Sequence, residues 1–186
     1  MRPLFASPVE AVLFWGVLVV AFAPVVIWSA RHRKARGKRR QDLLSLIMLA
    51  MIADVAIGYA RIGGLPHWLF YLGETLFVVG AAFTAWSYSL LGRYLSLFVE
   101  VLPDHELIED GPYRYIRNPG YLGAIVALTG FGLALQSWVA LVVILTIAAY
   151  LLAYRIRLEE QVMATELGDR YAEYTAKTKR FIPFIW

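Results

Sequence analysis

The chain has 186 residues, 60% hydrophobic and 15% aromatic, with a mean hydropathy of +0.59. Soluble domains are closer to about 45–50% apolar, so this composition points to an integral membrane protein. Cysteine is absent, which excludes disulfides, thiolate metal sites and cysteine nucleophiles, and the net charge of +4 is distributed in a way that argues against a nucleic-acid partner.

The first apolar run, Ala11–Ala30, is longer than a signal-peptide core, and its basic cluster follows instead of preceding it. It reads as a retained span with Pro24 as a kink. Further spans are expected at roughly Leu43–Ala60 and Trp68–Leu91. From Gly120 to Ala153 there is no charged residue. A helix of that length would reach about 51 Å, well beyond a hydrocarbon core of about 30 Å. Gly132, Gln136 and Ser137 therefore mark the turn of a helical hairpin holding spans four and five. The expected fold is all-α: a polytopic membrane protein of about five transmembrane helices.

Basic residues orient these spans. Seven Lys or Arg lie in Arg31–Arg40, three in Arg93–Arg117 and six from Arg155 onward. Five crossings put all three groups on one side, which the positive-inside rule makes cytoplasmic. The amino terminus is then outside and the carboxyl terminus in the cytoplasm. Arg31–Arg40 reads as a topology anchor that also attracts anionic lipid. Asp54 and Glu74 lie at similar depth near the outer boundary. They read as a structural polar patch, in contact with each other or paired with Arg61 or His67.

Two polar clusters flank the hairpin on the cytoplasmic side. The first, Gly111–Gly123, reads GPYRYIRNPGYLG. Pro119 removes an amide donor and holds Asn118 extended, while Gly120 and Gly123 permit close backbone approach. Tyr113, Tyr115 and Tyr121 fit either an interfacial anchor or a stacking surface for a flat heterocycle. Just upstream, His105 lies among acids whose spacing is unhelpful for zinc; it reads as a hydrogen-bonding residue, and no metal is expected. In the second cluster, Arg155 and Glu159 are four apart and share a helix face. That pattern fits a surface ion pair, and equally a site in which Arg grips a planar carboxylate and Glu accepts from hydroxyls or pairs with an ammonium. The terminal run Phe181–Trp186 has the pattern of an interfacial anchor that would also cap a cleft.

Taken together, the segments GRYLS (92–96), HELIEDGPYRYIRNPGYLG (105–123), RIRLEE (155–160) and LGDRYAEYTAKTKRFIP (167–183) resemble the isoprenylcysteine carboxyl methyltransferase family, integral-membrane enzymes related to phospholipid methyltransferases. The resemblance covers roughly the carboxyl-terminal half; residues 1–91, read from hydropathy as three transmembrane helices and the basic loop, match only in hydrophobic character. Residues 92–186 would then form the catalytic portion, with the hairpin, a carboxyl-terminal helix and a cytoplasmic-side pocket for S-adenosylmethionine. The resemblance further implies that His105, Glu106, Leu107 and Ile108 form one wall of that pocket. Tyr113 and the run Asn118, Pro119, Gly120 and Tyr121 would enclose the cofactor, and Glu159 would be its acidic contact. Arg155 would hold the substrate carboxylate, and Glu160 is the second of the family's paired glutamates. Many relatives carry His where this chain has Asn118, and an upstream Gln contact has no counterpart among Glu100–Leu102. Asn does not titrate near neutrality, so a proton relay at that position is not available.

The reaction expected from the resemblance is methyl transfer to a lipophilic or lipidated, membrane-associated acceptor, preferably its carboxylate. A carboxylate is already ionised at neutral pH and needs no general base. A phospholipid amine or a thiol is the nearest alternative acceptor, the amine requiring a base. A noncatalytic transporter or scaffold is the more distant alternative, supported by Asp54 and Glu74. Membrane lipids are expected partners. Small residues look scattered and span one has no GxxxG, so the sequence does not specify an oligomeric state.

Overall fold

The structure is a computed structural model, and it describes residues 5–31, 41–60, 62–92 and 107–181. Among the described residues, five long helices follow in chain order: α1 Pro8–Arg31, α2 Gln41–Tyr59, α3 Trp68–Leu91, α4 Pro119–Ala134 and α5 Trp138–Leu167. A 3-10 turn, Gly111–Arg114, precedes α4, and a short helix α6, Asp169–Lys177, follows α5. The described residues contain no strand, only two isolated bridges, Gly64 with Ser137 and Ile116 with Lys179. The expected spans fall on α1 to α3, and the expected hairpin divides at Leu135–Ser137.

Among the described residues, two helices, α3 and α5, are long and apolar enough to cross a membrane; the described apolar stretches Pro8–Ala21, Leu46–Tyr59 and Pro119–Ala134 are shorter. Only 22% of the apolar window of α3 and 33% of that of α5 are buried inside the protein. The remainder, including Val78, Val79, Val142 and Tyr150, faces outward, as lipid favours and water does not. At 30 residues α5 is about 45 Å long, so one end outlasts the hydrocarbon core. Its charged stretch Arg155–Glu160 occupies that end.

The centre of the bundle is the contact between α3 and α4, built on glycines spaced seven apart. A Cβ on Gly73 would stand 2.6 Å from the Gly130 carbonyl oxygen, and one on Gly80 would stand 2.6 Å from that of Gly123. The reverse pairs are as close: 2.5 Å from Gly130 to the Gly73 oxygen and 2.8 Å from Gly123 to the Gly80 oxygen. Seven residues are nearly two helical turns, so each glycine pair lies along one stripe. Without side chains there, the two backbones touch, as small residues permit between membrane helices. Thr84 extends the seam by donating to the Gly120 carbonyl at 3.1 Å. The glycines that look scattered in the sequence thus form one intramolecular interface.

Residues at the other end of the bundle, away from the polar clusters, hold the helices in register. Ser137 caps α5, its hydroxyl accepting from the Ala140 amide at 3.1 Å and donating to the Ile62 carbonyl at 2.5 Å. The Trp138 amide donates to Gly63 O at 2.8 Å, and Leu65 N to Gln136 O at 2.8 Å. Glu10, buried in the first turn of α1, accepts from Tyr71 at 2.8 Å and from the Ala6 amide at 2.7 Å, and lies 3.0 Å from His67 Nε2. His67 Nδ1 lies 3.3 Å from Gln136 Oε1. The partner of His67 is therefore Glu10, not Asp54 or Glu74 as expected. Asp54 is fully buried, and neither of its oxygens, nor Glu74 Oε2, has a hydrogen-bond partner among the described residues. No hydrogen bond joins the two acids; α2 packs on α5, and α3 turns its small residues to α4. Arg61 lies outside the described residues.

Candidate active site

The stretch leading into α4 is irregular because of its prolines and glycine. Gly111 has φ +58, and a Cβ there would meet Leu90 at 2.8 Å, so the chain passes tightly over the end of α3. Pro112 opens the 3-10 turn, which buries Tyr113. Asn118 precedes α4, and Pro119 starts it where its missing amide costs nothing. Pro119 is fully buried, and Gly120 lies against the ring of Tyr88, whose Cζ would be 2.9 Å from a Cβ at that position.

One turn into α4 the two polar clusters meet. The Tyr121 hydroxyl donates to Glu159 Oε1 at 2.7 Å and accepts from Arg155 Nε at 2.6 Å. The same Arg155 Nε lies 2.7 Å from Glu159 Oε1, closing a triangle. The side chain of Arg155 is 15% exposed and that of Glu159 is 26% exposed. A charge-assisted pair at this depth is better defined than an exposed ion pair, which contributes about 0–1 kcal/mol. Tyr88 and Tyr113 complete the surround, both near enough to Glu159 to interact electrostatically with it. Burial drives the Tyr113 hydroxyl far above its usual pKa, and the neighbouring Tyr88, Tyr174 and Glu159 add to the shift. Tyr113 is thus a neutral wall at any physiological pH.

A second network lies beneath the loop. Glu160 points away from the triangle and accepts from Arg117 Nε at 3.3 Å and Arg180 Nε at 3.1 Å, with Arg180 Nη2 2.7 Å from its other oxygen. Arg117 Nη1 also donates to the carbonyls of Thr175 at 3.1 Å and Thr178 at 2.7 Å. The Arg117 amide donates to Lys179 O at 2.8 Å, and the Lys179 amide to Tyr115 O at 2.9 Å. Tyr174 donates to the Tyr113 carbonyl at 2.8 Å. In α6, burial raises Tyr171 to about 12, helped by the negative charge of Glu160, and raises Tyr174 further.

Of the residues expected to form the site, Tyr121, Arg155 and Glu159 come together directly, with Tyr113 and Gly120 beside them. Asn118 is buried, but its amide donates to the Arg180 carbonyl at 2.9 Å, so this side chain is turned toward the carboxyl-terminal segment. Leu107 and Ile108 are half-buried before the 3-10 turn. His105 and Glu106, and the terminal residues 182–186, lie outside the described residues. Sequence reading missed Tyr88 and Arg117. The signal for Tyr88 was a glycine opening α4, which leaves room for a ring from a neighbouring helix. Arg117 stands inside the quoted motif but was counted only as topology charge.

The fold is that of a membrane-embedded enzyme. It superposes with a TM-score of 0.70 on the solved structure of a eukaryotic intramembrane Ras methyltransferase, isoprenylcysteine carboxyl methyltransferase, at 19% identity over 98% of this chain and 70% of that one. Residues 73–165 match the sequence model of the isoprenylcysteine carboxyl methyltransferase family, and the chain belongs to that family. Its relatives include protein-S-isoprenylcysteine O-methyltransferase B of Arabidopsis thaliana, 24% identical over 93% of this chain and 92% of that protein. Another is the protein-S-isoprenylcysteine O-methyltransferase of Schizosaccharomyces pombe, 32% identical over 44% of this chain and 35% of that protein. The chain is accordingly an integral-membrane methyltransferase.

Proposed function

We propose that this methyltransferase uses S-adenosylmethionine to methylate the carboxylate of an isoprenylcysteine-like or other lipophilic acceptor at the cytoplasmic membrane surface. The observation that carries this reading is the Arg155–Tyr121–Glu159 triangle, which joins the two distant polar clusters in one place. Glu159 offers an acceptor-only carboxylate beside three tyrosines, a donor set suited to ribose hydroxyls or an ammonium and to a nearby cationic sulfonium. When bound, the cofactor supplies an activated methyl group. Leu107 and Ile108 would form part of one wall of its pocket, and Tyr113, Pro119, Gly120 and Tyr121 would enclose it, while the Asn118 side chain braces that wall from the carboxyl-terminal side.

Arg155 lies one helical turn from Glu159, about 6 Å closer to the bilayer centre. Its fork grips an acceptor carboxylate there, while the lipid tail stays among the apolar helix faces. Such a carboxylate is ionised without help. The remaining tasks are alignment and exclusion of water, which the buried Tyr113, Pro119 and Gly120 supply. An amine acceptor requires a base, and Asn118 offers none. With five crossings and an outside amino terminus, the positive-inside rule would assign this chemistry to the inner leaflet.

The test is incubation of the purified protein with methyl-labelled S-adenosylmethionine and a farnesylcysteine acid, followed by base hydrolysis. Volatile labelled methanol supports the carboxyl reading. A base-stable label transfers the assignment to an amine or thiol acceptor, and no label in any lipid extract defeats the reading.

A further inference from the structure

We infer that Glu160 is a positioning residue that touches neither ligand. Its work is to strap residues 178–181 under the loop that delivers Tyr113 and Tyr121. This rests on the proposed reading only in taking that loop as a wall of the site.

Successive helical residues diverge by about 100°, so adjacent glutamates cannot serve one ligand from one face. Glu159 faces Tyr121 and Arg155, whereas Glu160 faces Arg117 and Arg180. Both Glu160 oxygens are engaged by guanidinium groups, and its side chain is only 15% exposed. It stands between two cations and is already compensated, so it has little to offer a cationic ligand. What it does hold is backbone. Through Arg117 it reaches the carbonyls of Thr175 and Thr178, and through Arg180 it fixes the segment whose carbonyl accepts from Asn118. The paired glutamates therefore divide their roles, one facing the ligands and one locking the wall that faces them. Asn118 belongs to the lock, since its amide ends on the strap.

Coupled networks of this kind show non-additive mutational effects. The test uses the full chain in detergent, with Glu160→Gln, Arg180→Gln and the double variant. S-adenosylhomocysteine affinity is read by calorimetry, and backbone hydrogen exchange is read at Arg117 and Lys179. The expected result is about tenfold weaker binding in each single variant. The double variant is no weaker than the worse single, and both amides lose protection in all three. The inference is overturned if Glu160→Gln loses affinity while both amides stay protected and Arg180→Gln binds like the wild type. If the wild-type chain binds no S-adenosylhomocysteine, the functional reading falls, and exchange alone decides the strap: protection retained in Glu160→Gln overturns it, and protection lost supports it.

Discussion

Arg155 and Glu159 lie one turn apart on α5, joined at 2.7 Å, and the hydroxyl of Tyr121 from α4 bridges them. The same oxygen of Glu159 receives both the guanidinium and the phenol. This arrangement turns an ordinary i, i+4 pair into the meeting point of two segments.

The two ends of that pair should fail differently. Glu159→Ala is expected to abolish S-adenosylhomocysteine binding in a calorimetric titration, and unchanged affinity would defeat its assignment. Arg155→Ala is expected to leave that affinity within about twofold while raising the acceptor KM about tenfold or more, as loss of a charged hydrogen bond does. Steady-state kinetics with varied acceptor checks it.

Tyr121→Phe keeps the ring but removes the shared hydroxyl. Arg155 and Glu159 remain adjacent on α5, so the unfolding temperature should change little. Turnover should fall by about tenfold, in line with loss of a hydrogen bond to charged partners. A variant with full activity would show that the triangle is a packing feature.

The glycine seam predicts a sharp positional contrast. Gly80→Ala and Gly130→Ala put a methyl group where the facing backbone already lies, and should each destabilise the bundle by about 1–3 kcal/mol. Gly16→Ala, with nothing within 4 Å of its Cβ, should be neutral or stabilising through helix propensity. Unfolding in mixed detergent micelles measures all three.

The buried α6 tyrosines predict alkaline sensitivity. The Tyr171 value is raised to about 12, above the ordinary 10 of an unfolded chain. Below pH 10 both states hold the proton, and this contribution to stability is complete. Between about 10 and 12 the unfolded chain ionises first, so stability declines with rising pH and levels off beyond the folded value. Tyr171→Phe should flatten that decline in a pH series of thermal unfolding, and an identical slope would exclude Tyr171 as its source.

Local signals in the sequence located the helices well. Continuous apolar runs and the turn marked by Gln136 and Ser137 both act over a few residues. Their consequences are visible without tertiary information, and α3 falls on the range expected for it, Trp68–Leu91. Arg155 and Glu159 were likewise visible as a pair, since i, i+4 spacing on a helix is a local relation. The seven-residue glycine spacing was present too. It passed as scatter because its meaning depends on a second helix bearing the same spacing.

Composition, spacing and motif thus determined a helical membrane protein and the two clusters that bear its chemistry. They could not distribute partners, because hydrogen bonds between side chains depend on which helices meet and at what rotation. Only the packed bundle gave His67 to Glu10 and left Asp54 buried without a hydrogen-bond partner among the described residues. The same packing sent Glu159 and Glu160 to opposite tasks: a 100° step around α5 is trivial in sequence, and becomes functional once α4 stands on one side and α6 on the other.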